Sequence, residues 1–206
     1  MSVFYTVAYA IGFHPWEELA THEPFADTLL ALIARDETSN GQPNGRALDV
    51  GTGSGVWGVK LAERGWDVTG IDPVRKAVRR ARKRVAAANV PMKVVRADVC
   101  RSLPESVGTG YRLIVDTGTF HGLTDAQRRA MGRTVSAVAA EQATVILDCF
   151  SPGRRGPLPR GATEADIEAA FPDWKITDKV VADTDPDPIA VKFKFDEHFY
   201  RLRRNS

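Results

Sequence analysis

Short runs rich in Val, Ile and Leu alternate along the chain with longer stretches of helical period, the pattern of buried parallel strands and their crossover helices. Strands are predicted at 47–50, 67–71, 92–96, 111–116 and 144–150, with two more at 175–181 and 191–201 closing the chain. In "AVKFKFDEHFYRLRR" apolar and polar residues alternate, as expected of a strand near the edge of a sheet. Helix starts carry their own punctuation. Asp72 followed by Pro73 predicts an N-cap with proline at the first helical position, and Thr124 with Gln127 a capping box. Thr163 with Asp166 is a weaker box. Helices are therefore expected near 73–88, 125–140 and 164–171, with a further helical segment ahead of the polar connector "TSNGQPNG". The segment "SPGRRGPLPRG" holds too many prolines and glycines for regular structure, and it leaves the carboxyl end of a central strand, where open parallel sheets bind ligands.

The 206 residues suffice for one sizeable core, and 43% hydrophobic with 26% charged residues is ordinary for a single globular domain. A formal charge of +2 hides a concentration of cations: Arg75, Lys76, Arg79, Arg80, Arg82, Lys83 and Arg84 share one ten-residue window. Such a window reads first as a solvated helix face and second as a surface for an anionic partner. Two cysteines, Cys100 and Cys149, supply neither a metal cluster nor a disulfide framework, and no metal site is expected. No apolar run approaches the roughly 20 residues of a membrane span, so the expectation is a cytoplasmic protein without a membrane partner.

Candidate chemistry concentrates in "RALDVGTGSGVWGVKLAERGWDVTGIDPV", a glycine-rich turn between a strand and a helix. Gly53, Gly55 and Gly58 spell the dinucleotide pattern G-x-G-x-x-G, whereas Gly51, Gly53 and Gly55 spell G-x-G-x-G after an acid, a pattern that points to S-adenosylmethionine. Either ligand can use backbone approach at a glycine turn and the open N–H groups of a helix N-terminus. Asp49, two positions before Gly51, would repel a pyrophosphate and suits an ammonium group. Asp72 follows Gly55 at close to the roughly 20-residue spacing of a ribose-binding acid, which both ligands need. Asp98 ends a third strand, where a carboxylate can accept the exocyclic amine of adenine. Three acids at successive strand ends favour the methyl donor.

On "LDVGTGSG", "GIDPV", "RADV" and "YRLIVDTGTFHGL", the chain resembles the class I S-adenosylmethionine-dependent methyltransferases. The resemblance implies a Rossmann-like α/β fold: seven strands, mostly parallel, helices on both faces, the last strand antiparallel. It also implies a donor site at Asp49, Gly51, Thr52, Gly53, Gly55, Asp72, Pro73, Asp98, Val99 and Asp116, with S-adenosyl-L-homocysteine as product. More loosely, "GFHPWEELA" and "GATEADIEAAFPDWKI" are similar to the small-molecule branch related to thiopurine methyltransferases and to bacterial small-molecule methyltransferases. That branch folds a Pro-Trp segment over the donor, here Pro15 and Trp16. "DTGTFH" stands where adenine and amide methylating enzymes carry N/D-P-P-Y/F, which argues against a nucleic-acid acceptor and for a small-molecule one.

Methyl transfer from a sulfonium needs mainly positioning and exclusion of water. If the acceptor is a hydroxyl or thiol, a histidine could take its proton. His121 follows the fourth strand and His14 adjoins Pro15, so these two are the candidates; His22 and His198 lack such placement. Phe13, Trp16, Phe120 and Phe150 suggest an apolar acceptor pocket, and Arg154, Arg155 and Arg160 could hold an anionic acceptor. Two other classes remain open at this point: a non-catalytic S-adenosylmethionine-binding interaction protein and an NAD-dependent oxidoreductase. The acceptor and the oligomeric state are not legible.

Overall fold

A computed structural model describes residues 23–38, 44–153, 159–182 and 196–205. Within them the order is α1 (Glu23–Ala34), β1 (Arg46–Val50), α2 (Val56–Glu63), β2 (Asp67–Asp72), α3 (Arg75–Ala88), β3 (Met92–Arg96), β4 (Tyr111–Thr117), a 3₁₀ turn (Phe120–Gly122), α4 (Asp125–Val138), β5 (Ala139–Phe150), α5 (Glu164–Ala170), β6 (Trp174–Val181) and β7 (Glu197–Arg204). The seven strands form one sheet in the order β3-β2-β1-β4-β5-β7-β6. Parallel pairing runs from β3 to β5, and β7 is antiparallel to both β5 and β6. This is the Rossmann-like methyltransferase fold.

Alternation along each strand sends side chains into two cores. Leu48, Val50, Ile114 and Leu147 face the side that also holds Met131, Val135 and Ile167 from α4 and α5. Ala47, Val68, Leu113 and Ile146 face the side covered by Leu29 and Ile33 of α1, Leu61 of α2 and Val78 of α3. Near-continuous burial of β1, β2 and β4 is what helices on both faces demand. The edge strand β6 alternates along its length; β7, inserted between β5 and β6, is buried over its first four residues.

Four boundaries differ from the sequence reading. Asp72 is not the cap of α3. The N-cap is Val74, with no side-chain hydrogen bond, because the Asp72 carboxylate turns back to accept from Gly53 N–H while also accepting from Val74 N–H. Helix α4 stops at Val138 rather than near 140, since Ala139 already pairs with Tyr111 across β4 and β5; pairing overrides the helix propensity of "AAEQA". Strand β5 consequently begins five residues earlier than the apolar run suggests. The last strand spans Glu197–Arg204, reaching Arg204 because Trp174 of β6 supplies a partner there, and 191–195 lie outside the described residues. Both capping boxes form as expected, at Thr124–Gln127 and Thr163–Asp166. No described helix is long and apolar enough to cross a membrane.

The cation-rich window lies on α3, whose buried face is Ala77, Val78 and Ala81. Cations of this window are engaged by the body of the protein: Arg82 donates to Val94 O at 3.0 Å, and Arg84 Nε donates to Ser54 O at 3.0 Å.

Candidate active site

Strand order reverses between β1 and β4, and a crevice for a ligand opens at the carboxyl ends of strands where this happens. The order β3-β2-β1-β4 brings Asp98, Asp72, Asp49 and Asp116 side by side along that edge, each within two residues of the end of its strand. The glycine turn stands above β1. Gly51, Gly53 and Gly55 have φ of 65, 55 and 81°, left-handed values that cost a residue with a Cβ roughly 1–2 kcal/mol. Gly55 caps α2, and no side chain caps that helix.

Close contacts on both sides fix the turn. A Cβ on Gly51 would collide with Thr119 Oγ1, and one on Gly55 would stand 3.1 Å from Ala81 Cβ, tighter than ordinary packing allows. Gly58, the third glycine of the dinucleotide pattern, lies inside α2, where a Cβ would stand 2.9 Å from Asp49 Oδ2 and collide with Met92. Close packing therefore accounts for this glycine.

The four acids are not equivalent. Asp49 is 1% exposed and lies beneath the turn: Thr52 Oγ1 donates to its Oδ2 at 2.5 Å. Burial pushes its carboxyl up to about 7, against hydrogen bonds from Thr52 and the Gly58 backbone that hold it down. Asp72 accepts from Gly53 N–H at 3.1 Å and Val74 N–H at 2.7 Å, and burial raises it to about 6. Asp98 is the most open, its side chain 22% exposed, with Oδ1 accepting from Cys100 N–H at 3.0 Å. Val99 beside it is buried, and Pro73 is half-buried, its carbonyl accepting from Arg96. Asp116 is fully buried; its two oxygens accept from Thr119 N–H and Phe120 N–H, both at 2.8 Å, and burial lifts it to about 6. Asp116 thus shapes the loop after β4 and has no side-chain surface turned outward.

That loop carries His121, which is 2% exposed and stacks on Phe150 with ring centroids 4.3 Å apart. Its Nδ1 accepts from Phe150 N–H at 3.2 Å. In a neutral ring the hydrogen then sits on Nε2, so His121 has no spare lone pair for an acceptor proton. The assignment of His121 as general base is corrected on this ground: it ties the loop after β4 to the end of β5. Phe120 is also corrected, from pocket wall to core: it is fully buried against Phe171 and Arg128. Arg160, expected to be available to an anionic acceptor, donates to Leu123 O and Asp125. His14, Trp16, Pro15, Phe13, Arg154 and Arg155 lie outside the described residues.

The sequence reading overlooked Arg128. Its position on α4 is the one available signal, since it shares the buried stripe of Met131, Gly132 and Val135 although it is charged. Also overlooked were Asp148 and Glu197, buried together where β5 and β7 meet; burial raises Glu197 to about 7 and Asp148 well above the usual carboxylate range.

Residues 47–142 match the family described as a methyltransferase domain. The fold is similar to that of magnesium protoporphyrin IX methyltransferase from Synechocystis, solved with bound S-adenosylhomocysteine (TM-score 0.72, 18% identity, 96% of each chain covered). It is likewise similar to the 1,6-didemethyltoxoflavin N1-methyltransferase of Burkholderia thailandensis (TM-score 0.74, 18% identity, 98% of this chain and 86% of that one). A third similar structure is an N-methyltransferase from Bradyrhizobium japonicum (TM-score 0.69, 19% identity, 89% of each chain). By the family match, residues 47–142 carry a methyltransferase domain, and the fold around them is the one shared with S-adenosylmethionine-dependent methyltransferases of solved structure.

Proposed function

We propose that this enzyme methylates a small molecule, with the donor held across the carboxyl ends of β3, β2 and β1 and the acceptor presented over β4 and β5. The observation that carries this reading is the set of carboxylates at adjacent strand ends around a left-handed glycine turn. A cationic donor with an adenosine group suits that chemistry: it offers hydroxyls, an amine and positive charge to a strip of acids.

S-adenosylmethionine supplies a methyl group already activated on a sulfonium, transferred by in-line displacement. The protein's own residues then bind, orient and exclude water. Asp72, preorganised by two backbone N–H groups, takes the ribose hydroxyls. Asp98 accepts from the adenine amine, and Val99 and Pro73 flank the base and the ribose. Gly51, Gly53 and Gly55 let the backbone approach the amino-acid part, while Asp49 and Thr52 hold the turn from below and add negative charge. Asp116 contributes through the loop it caps.

The names of two similar structures support a small acceptor: one is a magnesium protoporphyrin IX methyltransferase and the other a 1,6-didemethyltoxoflavin N1-methyltransferase. With His121 occupied by Phe150, the acceptor enters with its lone pair available or loses its proton to solvent. Titration calorimetry with S-adenosylhomocysteine, followed by a screen of amine, hydroxyl and thiol acceptors with labelled donor, tests the proposal. Absence of donor binding by the folded protein refutes it.

A further inference from the structure

The 3₁₀ turn after β4 is held by charge at both ends. At its start, Asp116 accepts from Thr119 N–H and Phe120 N–H. At its finish the carbonyls of Phe120, His121 and Leu123 receive guanidinium donors: Arg128 Nε to Phe120 O at 3.3 Å, Arg128 Nη2 to His121 O at 3.3 Å, and Arg160 Nε to Leu123 O at 2.9 Å. Acid at the amino end and cations at the carboxyl end match the dipole of the turn. Arg128 is only 2% exposed, and burying a guanidinium requires that its donors be satisfied. It meets that demand by reaching further. Nη2 also donates to Gly161 O, and Nη1 pairs with Asp166 of α5 at 3.1 Å.

Gly161 and Arg160 end the proline-rich segment that leaves β5. Gly161 has φ of 81°, and a Cβ there would stand 2.7 Å from Ser151 C, so the segment's return is tight. On its other side the turn touches the glycine turn through Thr119 and Gly51. One planar, fixed-geometry cation therefore joins two loops that approach from different strands. A lysine, with three donors at one point, cannot span the same carbonyls.

We infer that Arg128 is a positioning residue for the methyl acceptor: its guanidinium fastens the turn after β4 to the segment returning from β5, so that both walls of the acceptor side hold one geometry. This rests on the methyltransferase reading for the word acceptor; the fastening itself does not.

Hydrogen exchange on the full-length protein tests it, with S-adenosylhomocysteine calorimetry alongside. In Arg128→Met, amides at 119–123 and 159–162 should exchange faster together, by about tenfold or more, the factor for losing one net hydrogen bond. The affinity for S-adenosylhomocysteine should stay within about threefold of wild type, well under that factor. Arg128→Lys keeps the charge and the Asp166 partner, and should recover thermal stability but not the joint protection. Should Arg128→Met fail to fold, Arg128→Lys and Arg160→Met carry the test, the latter speeding exchange at 121–123 alone. Wild-type protection of both windows in Arg128→Lys, or independent responses of the two windows to either Arg128 substitution, would overturn the inference. Failure of the wild-type protein to bind S-adenosylhomocysteine would instead strike the donor reading and leave the fastening standing on the exchange data.

Discussion

Replacing Asp72 by alanine separates donor recognition from folding. The carboxylate accepts from Gly53 N–H and Val74 N–H, and the proposed donor site gives it the ribose hydroxyls as well. Hydrogen bonds to a charged acceptor are worth about 1.5–3 kcal/mol, so losing the ribose contact should weaken S-adenosylhomocysteine binding roughly 10- to 100-fold. The stability balance is closer. Orphaned N–H groups cost about 1–3 kcal/mol each, less where water can enter from the cleft. Against this, burial raises Asp72 from 3.8 to about 6, so keeping it ionised near neutral pH costs the folded state about 3 kcal/mol, a cost alanine removes. The variant should therefore fold with stability within about 3 kcal/mol of wild type, the size of either opposing effect, while its affinity collapses. Calorimetric titration with S-adenosylhomocysteine, paired with urea unfolding, measures both quantities. A folded variant whose dissociation constant stays within about threefold of wild type would refute the ribose assignment.

Three further outcomes are expected. Gly51→Ala combines a left-handed φ of 65° with a collision at Thr119 Oγ1, so it should lose stability by more than the roughly 1–2 kcal/mol of the backbone alone and displace the loop after β4; crystallography or exchange at 118–120 checks this. Buried carboxyls raised to about 7 at Asp49 and about 6 at Asp72 and Asp116 stabilise the fold while protonated, so the thermal midpoint should fall as pH rises from 5.5 to 7.5. Affinity for the cationic S-adenosylmethionine should rise over the same interval, because ionised acids attract it, and a flat profile in calorimetry would count against the acidic strip. His121→Asn preserves an acceptor for Phe150 N–H, so turnover should fall by less than about tenfold, about one net hydrogen bond, with the pH-rate profile unchanged; loss of an acid limb would restore His121 as the base.

Local rules made much of this molecule legible. Apolar runs marked five of the strands, β1 to β4 and β6, to within about a residue, because burial on both faces of the parallel strands at the centre of the sheet leaves little room for polar side chains and the edge strand β6 alternates. The capping boxes at Thr124 and Thr163 are contained within four residues, and they formed as written. Glycines and acids at strand ends marked the candidate donor site, since left-handed turns and carboxylates leave a direct trace in residue type. What depends on partners distant along the chain was decided only by the tertiary structure. Asp72 could cap a helix in isolation, but the folded turn places Gly53 N–H within its reach. His121 reads as a free base until Phe150, 29 residues away, occupies its Nδ1. Arg128 reads as one more surface cation on a helix with several, and only the crossing of α4 and α5 encloses it among the carbonyls of two loops. Hydrophobic period and turn chemistry act over a few residues, whereas satisfying a buried charge takes groups from across the fold.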